Sequence, residues 1–423
     1  MEVIHPRCAG LDVHKETVMA CVRLALGGKV TREVRTFETT TSGLLLLLAW
    51  LTEQGCTHVA MEATGVYWKP VWNILSDGDF ELVLANAAHI KNVPGRKTDV
   101  SDAAWIADLL AHGLIRSSFV PDQEIQELRE LLRTRKQLIR QQTRHIQRLQ
   151  KTLEGANIKL DSVVADIVGM SGRAMIEALI AGETDPAKLA ALANYRIKAS
   201  PQQLREALRG RVTDHHRFLL RLHLQQIDFA DAAISDIDRQ VAALIARMDE
   251  EVEAGQASFQ TLISLLMTIP GISLLAAQVI LSEIGLDMSR FPSAGHLLSW
   301  AGLSPRNDES AGKRRSTRLR KGDPWLKTML VQCAFAAKRK KGSYFNAQFH
   351  RLASRRGPKK AVCAVAASIL TTIYQMIKDG TQFEDLGADH FDRRSKDVRA
   401  KRLVIQLAKL GFDAKLTPLA KAA

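Results

Sequence analysis

Four acidic side chains hold the clearest chemistry in this chain: Asp12 in AGLDVHK, Glu62 in VAMEATGVY, and Asp99 with Asp102 in RKTDVSDAAW. Asp12 and Glu62 each follow a short apolar or small-residue run and precede polar or Gly-containing sequence, the pattern that delivers a carboxylate to the C-terminal edge of a buried strand. Asp99 and Asp102 are three apart at the start of an apolar-periodic run and so share a helix face. Carboxylates gathered from separate elements repel unless a cation neutralises them, and hard oxygen ligands suit Mg²⁺. Two such ions about 4 Å apart are a standard device for cutting a phosphodiester. Taken singly, each acid also fits a solvated surface position, and Asp99 fits a helix cap. As an ordered set of four they read as metal ligands.

The elements that must position these acids follow from size and pattern. At 423 residues the chain exceeds one ordinary core and suggests two or three domains. Three strands over Ala9–Val13, Val18–Leu24 and Arg32–Phe37 are followed by a helix over Gly43–Glu53 and a strand over His58–Met61. A helix over Tyr67–Leu75, a strand over Leu82–Ala85, and a helix from Asp99 to about His112 complete the segment. Hairpin-linked strands succeeded by alternating helix and strand predict a mixed sheet with helices on its faces. That order resembles the ribonuclease-H-like (RuvC-like) fold.

The strongest periodic signal lies further on. Ile125, Leu128, Leu132, Arg135, Ile139, Gln142, Ile146, Leu149 and Leu153 alternate spacings of three and four, a heptad seam with polar positions at Arg135 and Gln142. It fits a coiled coil between subunits, or a long helix packed inside its own chain. Ile227, Ile234, Ile237 and Val241 form a second amphipathic stretch, so the pair reads as an antiparallel stalk with an insertion at its tip. Beyond it, Leu262–Met267, the turn Thr268–Ser273 and Leu274–Ile284 resemble a helix-hairpin-helix module, whose free backbone N–H groups suit a DNA phosphate. The expected organisation is an α/β catalytic domain over 1–122, a helical stalk over 123–255 and a mostly α-helical C-terminal domain over 256–423.

Charge points to nucleic acid. The net +14 is uneven: residues 301–423 carry +17 and the remainder −3. The excess is densest at Lys313, Arg314, Arg315, Arg318, Arg320 and Lys321. Such a cluster attracts polyphosphate by counterion release, and the apolar helical spacing that follows it, Trp325, Leu326, Met329 and Leu330, marks folded structure rather than a solvated tail. Five scattered cysteines without a C-x-x-C pair argue against zinc and disulfides and for a reducing cytoplasm. The longest apolar run, Leu44–Leu51, is far too short to span a membrane, and no secretory leader is recognised.

Three blocks together, GLDVHK with MEATGVYW, KTDVSDA, and TIPGIS leading to RFPSAGHLLSWAGLSPRNDES, resemble the DEDD transposases of one bacterial insertion-sequence family, regarded as bridge-RNA-guided serine recombinases. The resemblance spans the whole chain. It implies a RuvC-like domain, a coiled coil and a C-terminal transposase domain, working as a dimer or tetramer on donor and target DNA with a guide RNA and no membrane. The metal quartet falls on Asp12, Glu62, Asp99 and Asp102. The family's catalytic serine lies just beyond an A-G-L-[ST]-P-R block, here Ala301–Arg306, and so falls on Ser310. Ala311 stands where relatives place Gly, which keeps Ser316 as an alternative. On residues alone, Ser310 also fits an ordinary polar turn. Two other functions compete: a junction-resolving endonuclease that activates water, and a non-catalytic nucleic-acid assembly factor.

Overall fold

The computed structural model describes residues 2–63, 65–87, 90, 101–252, 257–305, 308–310, 312–316, 318, 319 and 321–415. They fall into two compact units, Met1–Pro121 and Asp122–Ala423.

The first unit is built on a five-stranded sheet ordered β3-β2-β1-β4-β5, with β1 Arg7–Val13, β2 Thr17–Leu26, β3 Lys29–Glu38, β4 His58–Glu62 and β5 Glu81–Ala85. β1 pairs antiparallel with β2 and parallel with β4, and β2 pairs antiparallel with β3. Cys8, Ala9, Gly10 and Leu11 are all buried, as a central strand covered on both faces requires. β3 is an exposed edge, and its Lys29, Arg32, Glu33 and Arg35 discourage another chain from pairing there. Helix α1 (Thr41–Glu53), capped by Thr40 Oγ1 accepting from the Gly43 N–H, turns Leu44, Leu47, Trp50 and Leu51 onto one face. Val71 and Leu75 of α2 (Trp68–Leu75) join that core. The opposite face is covered by α3 (Asp102–Ala111), whose Ile106, Leu109 and Leu110 meet Cys8, Ala60 and Val83.

The second unit is helical. Its longest helices, α4 (Gln123–Gly155) and α8 (Asp214–Glu250), pair side by side. Arg135 Nε donates to Asp238 Oδ1 at 2.6 Å and Gln142 Nε2 donates to Asp231, two contacts that fix an antiparallel register. That register sets Leu132 against Val241 and Leu149 against Leu224, all four buried. The heptad seam is therefore met by the chain's own second helix, and its two polar positions each find an acid on that helix. Short helices α5 (Met170–Ile180), α6 (Pro186–Ala191) and α7 (Pro201–Ala207) lie between α4 and α8 in sequence and close a small core around Leu149, Leu153, Met175 and Leu220.

The remaining helices form the main core with one end of the α4–α8 pair: α9 (Phe259–Met267), α10 (Leu274–Ile284), α11 (Ala294–Trp300), α12 (Pro324–Ala337), α13 (Tyr344–Arg356) and α14 (Pro358–Asp379). A last helix, α15, spans His390–Lys409. Helix α14 is long and apolar enough to cross a membrane by composition, yet Val362, Val365, Ile369 and Ile373 are buried in this core. Gly271, in the turn between α9 and α10, has φ +90°, and a Cβ there would meet Cys333 O at 2.5 Å. That glycine lets the turn seat against α12.

Candidate functional site

Register places the first two acids side by side. Leu11 pairs with Met61 across β1 and β4, so Asp12 and Glu62 follow on neighbouring strands and share the opposite face, the one that α3 covers. Asp12 and Glu62 are both half-buried. The close seat of α3 depends on Gly10: a Cβ at that position would stand 2.3 Å from Ala103 O and 2.4 Å from Ala107 N. Cys8 packs beneath Ala107, and Ile4 N donates to Ala111 O, so α3 runs antiparallel to β1 and its first residue lies toward Asp12. That residue is Asp102, and Ser101 Oγ caps the helix by accepting from the Ala104 N–H. Asp99 lies outside the described residues.

The structure thus brings Asp12 and Glu62 together and aims the helix bearing Asp102 at the same strand ends. Among the described residues no group of three Asp, Glu, His or Cys stands close enough to hold a metal ion. The donor chemistry nonetheless fits a hard divalent cation, since the three described acids offer oxygen alone and lie at one end of the sheet. Sequence reasoning passed over His14, whose Nε2 lies 3.1 Å from Asp12 Oδ2. Its place just past the end of β1, two residues after Asp12, was the available signal, since alternate residues of an extended chain share a face. At four of the five cysteines burial opposes the thiolate, pushing Cys8 up to about 12 and Cys21, Cys56 and Cys333 to about 11.

In the second unit the polar segment around Ser310 forms a β-hairpin, β6 (Asp308–Ser310) against β7 (Lys313–Ser316). Ser310 pairs with Lys313 directly across a two-residue turn containing Gly312, φ +74°. Ser316 pairs with Asp308 at the other end, and its hydroxyl accepts from the Arg318 N–H. Lys313, Arg318 and Lys321 are exposed. The side chains of Ser310, Arg314 and Arg315, and the whole of Arg320, lie outside what is described.

An α/β unit with a five-stranded mixed sheet, acids at the ends of adjacent strands and a helical second unit fits a ribonuclease-H-like DEDD enzyme. Comparison with known proteins narrows this. A DEDD transposase family matches residues 9–158, and the transposase IS116/IS110/IS902 family matches residues 263–350. The uncharacterized 43.6 kDa protein of insertion element IS110 from Streptomyces coelicolor is 26% identical over 311 residues, covering 69% of this chain and 73% of that one. The chain belongs to the IS110-type DEDD transposases and is a DNA transposase.

Proposed function

We propose that this transposase cuts and rejoins DNA through Ser310, assisted by Mg²⁺ held by Asp12, Glu62, Asp99 and Asp102. The observation that carries the metal assignment is the adjacency of Asp12 and Glu62 on parallel strands, with the helix bearing Asp102 drawn onto the same ends by Gly10. A bound divalent ion supplies charge neutralisation for a phosphodiester under attack. The protein's own part is to hold the acids on rigid strand ends and to present a nucleophile.

Ser310 supports that second role by its position. Its backbone pairs with that of Lys313 across a tight hairpin turn, which puts a cationic residue at the same end of the hairpin. In the cleavage step the Ser310 Oγ–P bond forms, the bridging P–O bond of the strand breaks, and the serine proton is passed on while the departing oxygen gains one. One phosphate ester replaces another, so bond energy is kept for rejoining. Lys313, Arg314, Arg315, Arg318, Arg320 and Lys321 hold the DNA backbone, and the turn Thr268–Ser273 adds a helix-hairpin-helix contact. We assign 1–122 to metal-dependent catalysis, 123–255 to the helical stalk, and 256–423 to the serine and its basic surface. A dimer or tetramer lets the quartet of one subunit serve the serine of another, and a guide RNA selects donor and target.

A denaturing gel of cleaved DNA tests this reading. A covalent protein–DNA adduct that disappears in Ser310→Ala and persists in Ser316→Ala is expected. Free ends from Ser310→Ala at the wild-type rate mean a water-activating endonuclease, and no cutting by the wild type means an assembly factor. A nucleotide remnant mapped to the Ser316 peptide overturns the serine assignment.

A further inference from the structure

Seven of the eight Lys and Arg residues of α4 divide into two sets, with Lys151 near the helix end standing apart. Arg133 grips the buried Glu283 carboxylate through Nε at 2.9 Å and Nη2 at 2.7 Å, Arg129 Nε reaches it at 3.2 Å, and Arg135 pairs with Asp238. These three build the fold. Lys136, Arg140, Arg144 and Arg148 recur every fourth residue, and among the described residues none of them makes an ion pair. Arg140, Arg144 and Arg148 are exposed and Lys136 is half-buried. Like charges at that spacing oppose helix formation, so the row does not serve the helix itself.

The row runs into a cleft. The Arg140 guanidinium lies over the Trp325 ring at 5.3 Å and that of Arg133 at 5.5 Å. The half-buried indole faces a space of about 80 Å³ lined by Ile139, Leu275, Val279, Met329 and the amide of Gln332. An aromatic face with an apolar floor, a hydrogen-bonding edge and a cationic rim matches a nucleobase with its phosphate. A base can enter such a cleft only if it is not paired.

We propose that the Lys136–Arg148 row and the Trp325 cleft form a track for an unpaired nucleic-acid strand, one base of which stacks on Trp325. Successive cations rise about 6 Å and the row spans about 18 Å in a straight line. A rigid duplex backbone winds away from a straight row after a phosphate or two, whereas a flexible single strand can lie along it. The proposal rests on the transposase reading, since an enzyme that opens and rejoins DNA has unpaired strands to hold, but it does not depend on Ser310.

The test measures binding of the full-length protein to fluorescein-labelled dT12, U12 RNA and a 12-base-pair duplex across a salt series. Trp325→Ala is expected to weaken single-strand binding by about 5- to 150-fold while sparing the duplex, and Trp325→Phe to recover most of it. Lys136→Gln/Arg140→Gln/Arg144→Gln/Arg148→Gln is expected to flatten the single-strand salt slope by about 3. The tighter of dT12 and U12 identifies the strand as DNA or RNA, and equal binding means a track that does not read the sugar. An unchanged slope in a quadruple variant with the wild-type thermal midpoint overturns the proposal. So does equal loss of duplex and single-strand binding in Trp325→Ala, or competition by polyglutamate as effective as by unlabelled strand. Ser310→Ala keeps full strand binding, which separates failure of this track from failure of the serine chemistry.

Discussion

Asp12 and Glu62 stand side by side at the ends of parallel neighbours, one residue beyond the Leu11–Met61 pair. Two carboxylates fixed this way repel, and a cation between them relieves the repulsion. Asp12→Ala, Glu62→Ala, Asp99→Ala and Asp102→Ala should each lower strand cleavage by at least about 100-fold, with DNA affinity nearly unchanged because the basic residues remain. Cleavage and filter-binding assays on the four variants check this; wild-type cleavage by any two of them refutes the quartet.

Gly10 has no room for a methyl group. Its Cβ would stand 2.3 Å from Ala103 O, so Gly10→Ala must push α3 away from β1. The expected cost is about 1–3 kcal/mol for an overpacked contact. Because α3 starts at Asp102, cleavage should fall more than thermal stability does. Calorimetry beside a cleavage assay distinguishes this from simple unfolding, which would lower both together.

Much of the first unit was legible because its signals are local. The short apolar runs around Asp12 and Glu62 became β1 and β4, and the polar sequence after each marked the strand ends. The heptad seam from Ile125 to Leu153 was equally visible, but periodicity names a buried face without naming what buries it. Asp231 and Asp238, seven residues apart on α8, answer Gln142 and Arg135, a complement about ninety to a hundred residues away along the chain. The Ser310 hairpin was missed for a related reason: β6 and β7 are three and four residues long, too short for alternation to show. The Trp325 cleft joins α4, α10 and α12, which no motif window spans.

Glu283 should behave as a structural ion. It is 1% exposed, and burial pushes its carboxyl above the usual range against the pull of Arg133 and Arg129. Glu283→Gln leaves two guanidinium groups short of their partner, although Asp323 still pairs with Arg133 at 3.2 Å. Removing one member of a buried charge cluster costs about 3–5 kcal/mol. Chemical denaturation of the variant should show that loss, and a change below about 1 kcal/mol would contradict it.

His223 gives the helix pair a dependence on acidity. Its ring is 9% exposed, and its Nδ1 lies 3.4 Å from Nδ1 of His145. Burial, then His145 and Arg148, hold its pKa below the ordinary 6.5. The folded chain therefore takes up this proton less readily than the unfolded chain. The contribution is fully present above about pH 6.5 and is lost as pH falls through the depressed folded value. Denaturation midpoints should drop from pH 7.5 to pH 5 more steeply in the wild type than in His223→Gln, whose side chain does not titrate. Parallel curves for the two proteins would show that the pair at α4 and α8 does not set this response.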